Sequence, residues 1–309
     1  MKILGYFPQG LRAAIGLILL CSGILKLFPI EPFELNFIDM GIANWYTAPF
    51  IARLLVALEL FLGLLLIFGF YLKRFTLNAT LITLIFFTAY LMLQLLLEGN
   101  NGNCGCFGTY LQMTPLESII KNGILISGVL FLKYFHPDPV VQPWKWLLPV
   151  LLTLSLVLPF ILNPVDLLAA ESRLPQQVNF PLDASVMKGD ALAEGDSLQP
   201  GEGKHIIAFF SMTCVHCKSA AFKLHVMKKR HPEIPFFMVL NGKQKNLNQF
   251  FEETKSGNIP YMILLGEPFA KITGGNVPTI YWVENGFVTR KSLYISLEEQ
   301  EILNWLQTP

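Results

Sequence analysis

IIAFFSMTCVHCKSAAFKLHVMKKR, residues 206–230, decides the C-terminal half of this chain. Six residues of buried-strand character turn into a helical stretch whose first turn holds Cys214, Val215, His216 and Cys217. Backbone N–H groups and the macrodipole at a helix start favour an anion, so Cys214 is the candidate nucleophile, reacting as a thiolate. Cys217 follows about one turn down the helix, near enough to resolve a mixed disulfide. His216, between them, further favours the Cys214 anion. A bare C-x-x-C is also half of a zinc site, but zinc wants two more soft ligands at short spacing. His205, His225 and His231 form no second compact pair, so no metal is expected, and His225 and His231 read as solvated helix-surface residues.

Working outward, FFMVL (236–240) reads as a second strand and NLNQFFEETKSG (246–257) as a second helix. PTIYWV and FVTRKSLYI, separated by Glu284-Asn285-Gly286, read as a hairpin, and LEEQEILNWL closes the chain as a helix. Upstream, residues 164–205 are polar and rich in Pro, Gly and Asp, which marks a linker and the irregular start of a domain. The order strand, helix, strand, helix, hairpin, helix, with C-x-x-C at the first strand-to-helix turn, resembles the thioredoxin-like family over about residues 176–309. Val277-Pro278-Thr279, opening a strand, matches the position where that family carries a cis-proline. The resemblance implies an α/β thioredoxin-like fold and a loop at Pro278 that offers backbone groups to a docked chain and keeps metal from the dithiol.

The other half has a different solvent. The chain is 53% hydrophobic and 15% charged, against roughly a quarter charged in soluble domains, and the apolar excess sits in residues 10–163. Five stretches reach the length a bilayer-spanning helix needs: about 10–30, 50–72, 75–97, 114–135 and 144–163. The domains expected are therefore a transmembrane bundle, 1–165, and a linker with the thioredoxin-like domain, 166–309. The first span has no small-residue cleavage site, and Leu20 stands before Cys21 where lipid attachment wants a small residue; Cys21 reads as apolar packing. Lys2, Arg12, Lys73, Arg74, Lys133 and Lys145 fall in alternate connections, and Glu31, Glu34, Asp39 and Glu98 in the others. The positive-inside rule then gives a cytoplasmic N-terminus and a periplasmic or other extracytoplasmic C-terminal domain, on a bacterial cytoplasmic membrane. A net charge of +1 argues against nucleic acid as a partner.

Between the third and fourth spans lies Cys104-Gly105-Cys106-Phe107-Gly108, on the same side as the C-terminal domain. A Cys-Gly-Cys pair closes only a small strained ring, which suits exchange better than stapling. Glu59 lies about nine residues into the second span, where an ionisable group is costly and usually functional, and Lys26 is its expected partner. The alternatives for these two are a snorkelling lysine and a structural carboxylate. SGILKLF, LELFLGLLL and CGCFG resemble the MauE family, related to DoxX, over about residues 8–135, which implies a four-helix core. That family's members work beside a separate thioredoxin-like protein in disulfide formation, and here the two halves stand in one chain.

The expectation is a membrane-bound thiol-disulfide oxidoreductase that exchanges disulfides with extracytoplasmic client proteins through Cys214 and Cys217, with Cys104 and Cys106 as a secondary pair. A quinone is a candidate cofactor or redox partner by analogy with quinone-linked thiol oxidases, and lipid surrounds the bundle. Two rivals stand beside it. A conduit carrying reductant outward needs a cysteine pair inside the spans; an assembly scaffold needs no redox chemistry in the bundle.

Overall fold

Helices of about 20 apolar residues match the roughly 30 Å hydrocarbon layer, and such helices build the first of two units, Met1–Val165 and Asp166–Pro309. A computed structural model describes residues 3–308 apart from 101–103, 109–110, 112, 136–145, 166–174 and 184–201. In the first unit α1 (Ile3–Lys26), α3 (Ala48–Phe68), α4 (Leu77–Glu98) and α5 (Pro115–Phe135) follow the first four expected spans. Among the described residues, four helices are long and apolar enough to cross a membrane. The fifth expected span, 144–163, is α6 (Leu147–Leu162), with 16 residues. At 1.5 Å per residue it is about 24 Å long; residues 136–145, and Lys145 with them, lie outside the described part.

The sequence reading missed one element here. The acidic first connection is the helix α2 (Glu31–Asp39), which buries Phe33, Leu35, Phe37 and Ile38. Arg53, 4% exposed, explains its position. The guanidinium pairs with Glu34 of α2 and donates from Nε to the Asn163 carbonyl, 2.7 Å away, at the end of α6. Asn163 in turn donates to the Leu27 carbonyl at 3.2 Å, so α6 ends beside the C-terminal end of α1. At the opposite end, Arg12 donates to the Ile67 carbonyl, next to the π-helical turn Leu72–Thr76 that carries Lys73 and Arg74.

Helices α1 and α3 meet backbone to backbone. A Cβ on Gly16 would sit 2.8 Å from the Gly63 carbonyl oxygen, and one on Gly63 2.9 Å from that of Gly16. Small residues at a membrane helix interface allow this approach, where dispersion replaces the hydrophobic driving force available in water. Ile15, Leu19, Leu62 and Leu66 pack around the contact.

The second unit is one six-stranded sheet in the order β1-β6-β5-β2-β3-β4: β1 (Gln176–Pro181), β2 (Lys204–Ser211), β3 (Phe236–Asn241), β4 (Tyr261–Ile263), β5 (Thr279–Glu284) and β6 (Phe287–Ser292). Parallel β2–β3–β4 and antiparallel β2–β5–β6 around the strand that leads into α7 (Val215–Arg230) give the thioredoxin-like arrangement. The remaining helices are α8 (Leu247–Thr254), α9 (Glu267–Thr273) and α10 (Glu299–Gln307). Alternate side chains of a strand serve opposite faces. Phe209 and Tyr281 therefore meet Phe269 of α9, while Trp282 meets Trp305 of α10 on the other face. The hairpin closes through Asn285 and Gly286, both at positive φ, as an Asn-Gly turn requires.

Three short elements were not legible beforehand: β1, β4 and α9. The reading of 164–205 as linker is corrected in part, because Gln176–Pro181 pairs with β6 as an edge strand. Residues 166–174 and 184–201 of that stretch lie outside the described part.

Candidate functional site

Two sites carry cysteines, one in each unit. In the second unit, β2 ends at Ser211 and Cys214 is the N-cap of α7, with extended backbone (φ −82°, ψ 125°). Its N–H donates to the Ser211 carbonyl at 3.2 Å, and its own carbonyl accepts the first helical bond from Lys218 at 3.1 Å. Cys214 is half-buried; Cys217, one turn on, is completely buried. Burial pushes the Cys217 thiol up, the Ser211 N–H at 3.4 Å opposing this, and the neighbouring Cys214 sulfur adds to the rise. The outer sulfur is open to attack while the inner one holds its proton.

His216 is exposed on the first turn, and its Nδ1 lies 3.3 Å from the Tyr294 hydroxyl. Lys223 sets Tyr294 there by donating to the carbonyls of Tyr294 and Ile295, at 2.9 and 3.1 Å. The sequence reading did not anticipate Tyr294, since nothing in a hairpin pattern marks the residue that folds back over a helix start. The Val277–Pro278 peptide is cis. Thr279 pairs with Phe209 in the antiparallel ladder, so Pro278 stands at the end of β2 that leads to Cys214.

In the first unit the structure brings together what the sequence reading kept apart. Lys26, Glu59, Tyr90, Cys104, Cys106 and Lys121 line one cavity. Lys26 does not snorkel: it is 3% exposed, and its Nζ lies 2.6 Å from both carboxylate oxygens of Glu59. Nζ also donates to Ser22 Oγ at 2.9 Å, and Ser22 donates to the Cys106 carbonyl at 2.9 Å. A hydrogen-bonded chain therefore runs from the buried ion pair to the loop backbone.

The loop sulfurs differ. Cys104 is 2% exposed and its Sγ lies 2.9 Å from Ser118 Oγ, whereas Cys106 is half-buried. Hydrogen bonding from Cys104, with Lys121 and Lys26 helping against burial, brings Cys106 down to about 6. The hydrogen bond with Cys106 and then burial push Cys104 up. Ser22, Ser118 and Lys121 were missed, although Lys121, ionisable and near the start of a span, carried the same signal as Glu59. Cys21, expected as a packing residue, is instead exposed on α1.

Gly108 seats the loop. It lies at φ +64°, and a Cβ there would run into the Leu25 carbonyl of α1. Gly108→Ala is expected to lift the loop and raise the alkylation rate of Cys104 several-fold. Gly123→Ala, where a Cβ meets nothing within 4 Å, is the control. Equal rates in the two variants would show that Gly108 does not hold the loop down.

Residues 4–135 match the family described as Methylamine utilisation protein MauE. Protein TlpB of Flavobacterium psychrophilum is 25% identical over 331 residues, covering 91% of this chain and 89% of its own length. Among solved structures, the thioredoxin domain of a thiol-disulfide oxidoreductase from Bacteroides vulgatus is 13% identical, with TM-score 0.30 over 44% of this chain and 98% of its own. A secreted Mycobacterium tuberculosis disulfide oxidoreductase homologous to E. coli DsbE is 16% identical, with TM-score 0.26 over 34% and 80%. The family match and the four apolar helices make this a multi-pass membrane protein. Its two units join a MauE-like membrane domain to a thioredoxin-like domain in one chain.

Proposed function

We propose that the chain is a membrane-bound thiol-disulfide oxidoreductase, acting on protein thiols and disulfides through Cys214 and Cys217 and exchanging electrons with Cys104 and Cys106. The observation that carries this is the asymmetry of the helix-start pair: a half-buried Cys214 at the N-cap and a buried, protonated Cys217 beneath it. That division fits attack by or on the outer sulfur and resolution by the inner one. His216 and Pro278 complete the site, and the client is an extracytoplasmic protein.

Two observations favour exchange with the bundle over a passive anchor. The loop pair is seated in a cavity with a buried ion pair, and α6, which leads toward the second unit, ends beside the same end of α1 against which Gly108 sits. The reductant-conduit alternative gains nothing from Cys21, which is exposed and outside the cavity lining. The reading is tested by equilibrating the full chain in lipid nanodiscs with graded thiol buffers. Two separate two-electron transitions are expected, one lost in Cys214→Ser and the other in Cys106→Ser. A loop pair that stays reduced at every potential would remove it from the reading.

Orientation is a second expected outcome. A reporter after Lys73 reads as cytoplasmic and one after Pro309 as extracytoplasmic, because Arg12, Lys73 and Arg74 gather at one end of the bundle. Arg53 and Lys26 near the other end are neutralised by Glu34 and Glu59. Both reporters on one side would overturn this.

A further inference from the structure

The bundle cavity holds a buried ion pair that the proposed activity does not use, and placing an ion pair there is costly. We infer that Cys106 is the exchanging sulfur of the loop pair, that Cys104 is its proton-holding partner, and that Lys26, anchored by Glu59, is the positioning cation that steadies Cys106 as a thiolate. The inference rests on the reading that the two cysteine pairs exchange, and it assigns roles within that exchange.

Geometry carries it. Residue Cys106 is partly exposed, while Cys104 is buried with its sulfur against the Ser118 hydroxyl. Lys26 reaches the loop by two routes: its ammonium lines the cavity shared with both sulfurs, and through Ser22 it fixes the Cys106 carbonyl. The Phe33 and Phe87 rings, each 5.2 Å from Nζ, and the Glu59 carboxylate hold the ammonium in place. Lys121 is the other cation and lowers Cys106 more than Lys26 does, its Nζ 4.4 Å from the Phe107 ring next to Cys106. The charged and titratable groups around Cys106 are Cys104 on its own loop, Lys26 on α1, Glu59 on α3, Tyr90 on α4 and Lys121 on α5. Asp39 of α2 and Glu98 of α4 act on Tyr90. The low titration of Cys106 and the high titration of Cys104 agree with this division.

The exchange then balances. The Cys214 thiolate attacks Sγ of Cys106 in the oxidised loop pair; the Cys104–Cys106 bond breaks and its electron pair goes to Cys104, beside the Ser118 hydroxyl. Cys217 gives up its proton and attacks Sγ of Cys214, closing the Cys214–Cys217 disulfide and releasing Cys106. Two electrons pass from the helix-start dithiol to the loop. The proton of Cys217 ends on Cys104, and the negative charge that began on Cys214 ends on Cys106. Every bond formed is matched by one broken, so the same steps run in reverse.

The test is the pH profile of iodoacetamide alkylation at each loop cysteine, resolved by fragment ions, in the reduced full chain in nanodiscs. Cys106 is expected to titrate at about 6 and to react well ahead of Cys104 at pH 7. Lys26→Met/Glu59→Gln removes both charges together, so no uncompensated charge is left buried. It is expected to raise the Cys106 midpoint by about one unit, which cuts its rate at pH 5 about tenfold. Glu59→Gln alone keeps the cation and is expected to leave the midpoint unchanged or lower it. Lys121→Met tests the second cation and is expected to raise the midpoint as well. An unmoved midpoint in the double variant, equal shifts in Glu59→Gln and the double variant, or faster alkylation of Cys104 would each overturn the assignment. None of these readouts involves Cys214, so failure here is distinct from failure of exchange between the pairs, which is read by trapping.

Discussion

Cys217→Ser is expected to turn this chain into a trap, with Cys214 caught in a mixed disulfide that persists for minutes to hours where the parent chain shows none. Exchange passes through such an intermediate, and the resolving thiol is the fast way out of it. Cys217 is fully buried directly beneath Cys214, so Ser substitutes there with little change in packing while removing the sulfur placed to attack Cys214. The partner expected inside the chain is Cys106, the outer sulfur of the loop. Ten residues, 166–175, separate the first unit from β1. Covalent attachment in one chain gives the internal adduct a high effective concentration. On a denaturing gel it runs as a faster, reductant-sensitive band, and it vanishes when Cys104 and Cys106 are both Ser. If Cys217→Ser captures separate proteins through Cys214 and never the loop, the bundle is an anchor and the scaffold reading takes its place.

The second large effect falls on stability. Trp282→Ala is expected to cost the thioredoxin-like unit about 3–5 kcal/mol, the range for emptying a buried aromatic site. Trp282 is fully buried; its ring meets Trp305 of α10 edge-on at 5.1 Å, and the Arg290 guanidinium lies 5.1 Å from its centroid. Its indole N–H donates to Ser292 Oγ at 2.8 Å, a bond inside the β5–β6 hairpin that alanine leaves unmade. The substitution therefore opens a cavity between sheet and α10 and strips a buried hydroxyl of its donor. Urea-gradient pulse proteolysis of the full chain, read on the C-terminal unit, measures the loss. A change under about 1 kcal/mol would mean that α10 collapses into the gap and that the Trp282–Trp305 contact is not a keystone of this core.

Much of the fold was written in local pattern. IIAFFS and FFMVL read as strands because every residue but Ser211 is apolar, as befits central strands covered on both faces. Asn285-Gly286 read as a hairpin because only such residues take two successive positive φ values cheaply. The elements that escaped, β1, β4 and α9, are short, and β1 and β4 are the edge strands of the sheet, where one side of the strand is unpaired and burial writes little periodicity. Helix α2 escaped for another reason: Glu31 and Glu34 look like a solvated loop until Arg53, 19 residues beyond Glu34, takes one of them as its partner.

By itself the sequence determined two solvents, the strand-to-helix turn that holds Cys214 and Cys217, and the presence of an ionisable pair and a cysteine pair in the membrane half, since each is a matter of composition or of spacing within one element. Tertiary structure alone decided that Lys26 faces inward onto Glu59, that Ser22 links this pair to the Cys106 backbone, and that the Cys104 sulfur sits against the Ser118 hydroxyl in a cavity that Lys121 also lines. The reason is distance along the chain. Lys26 and Glu59 are 33 residues apart, and Ser22 and Cys106 are 84 apart. The direction a side chain takes from a membrane helix depends on which neighbour will neutralise it, and that neighbour is chosen only when the helices pack.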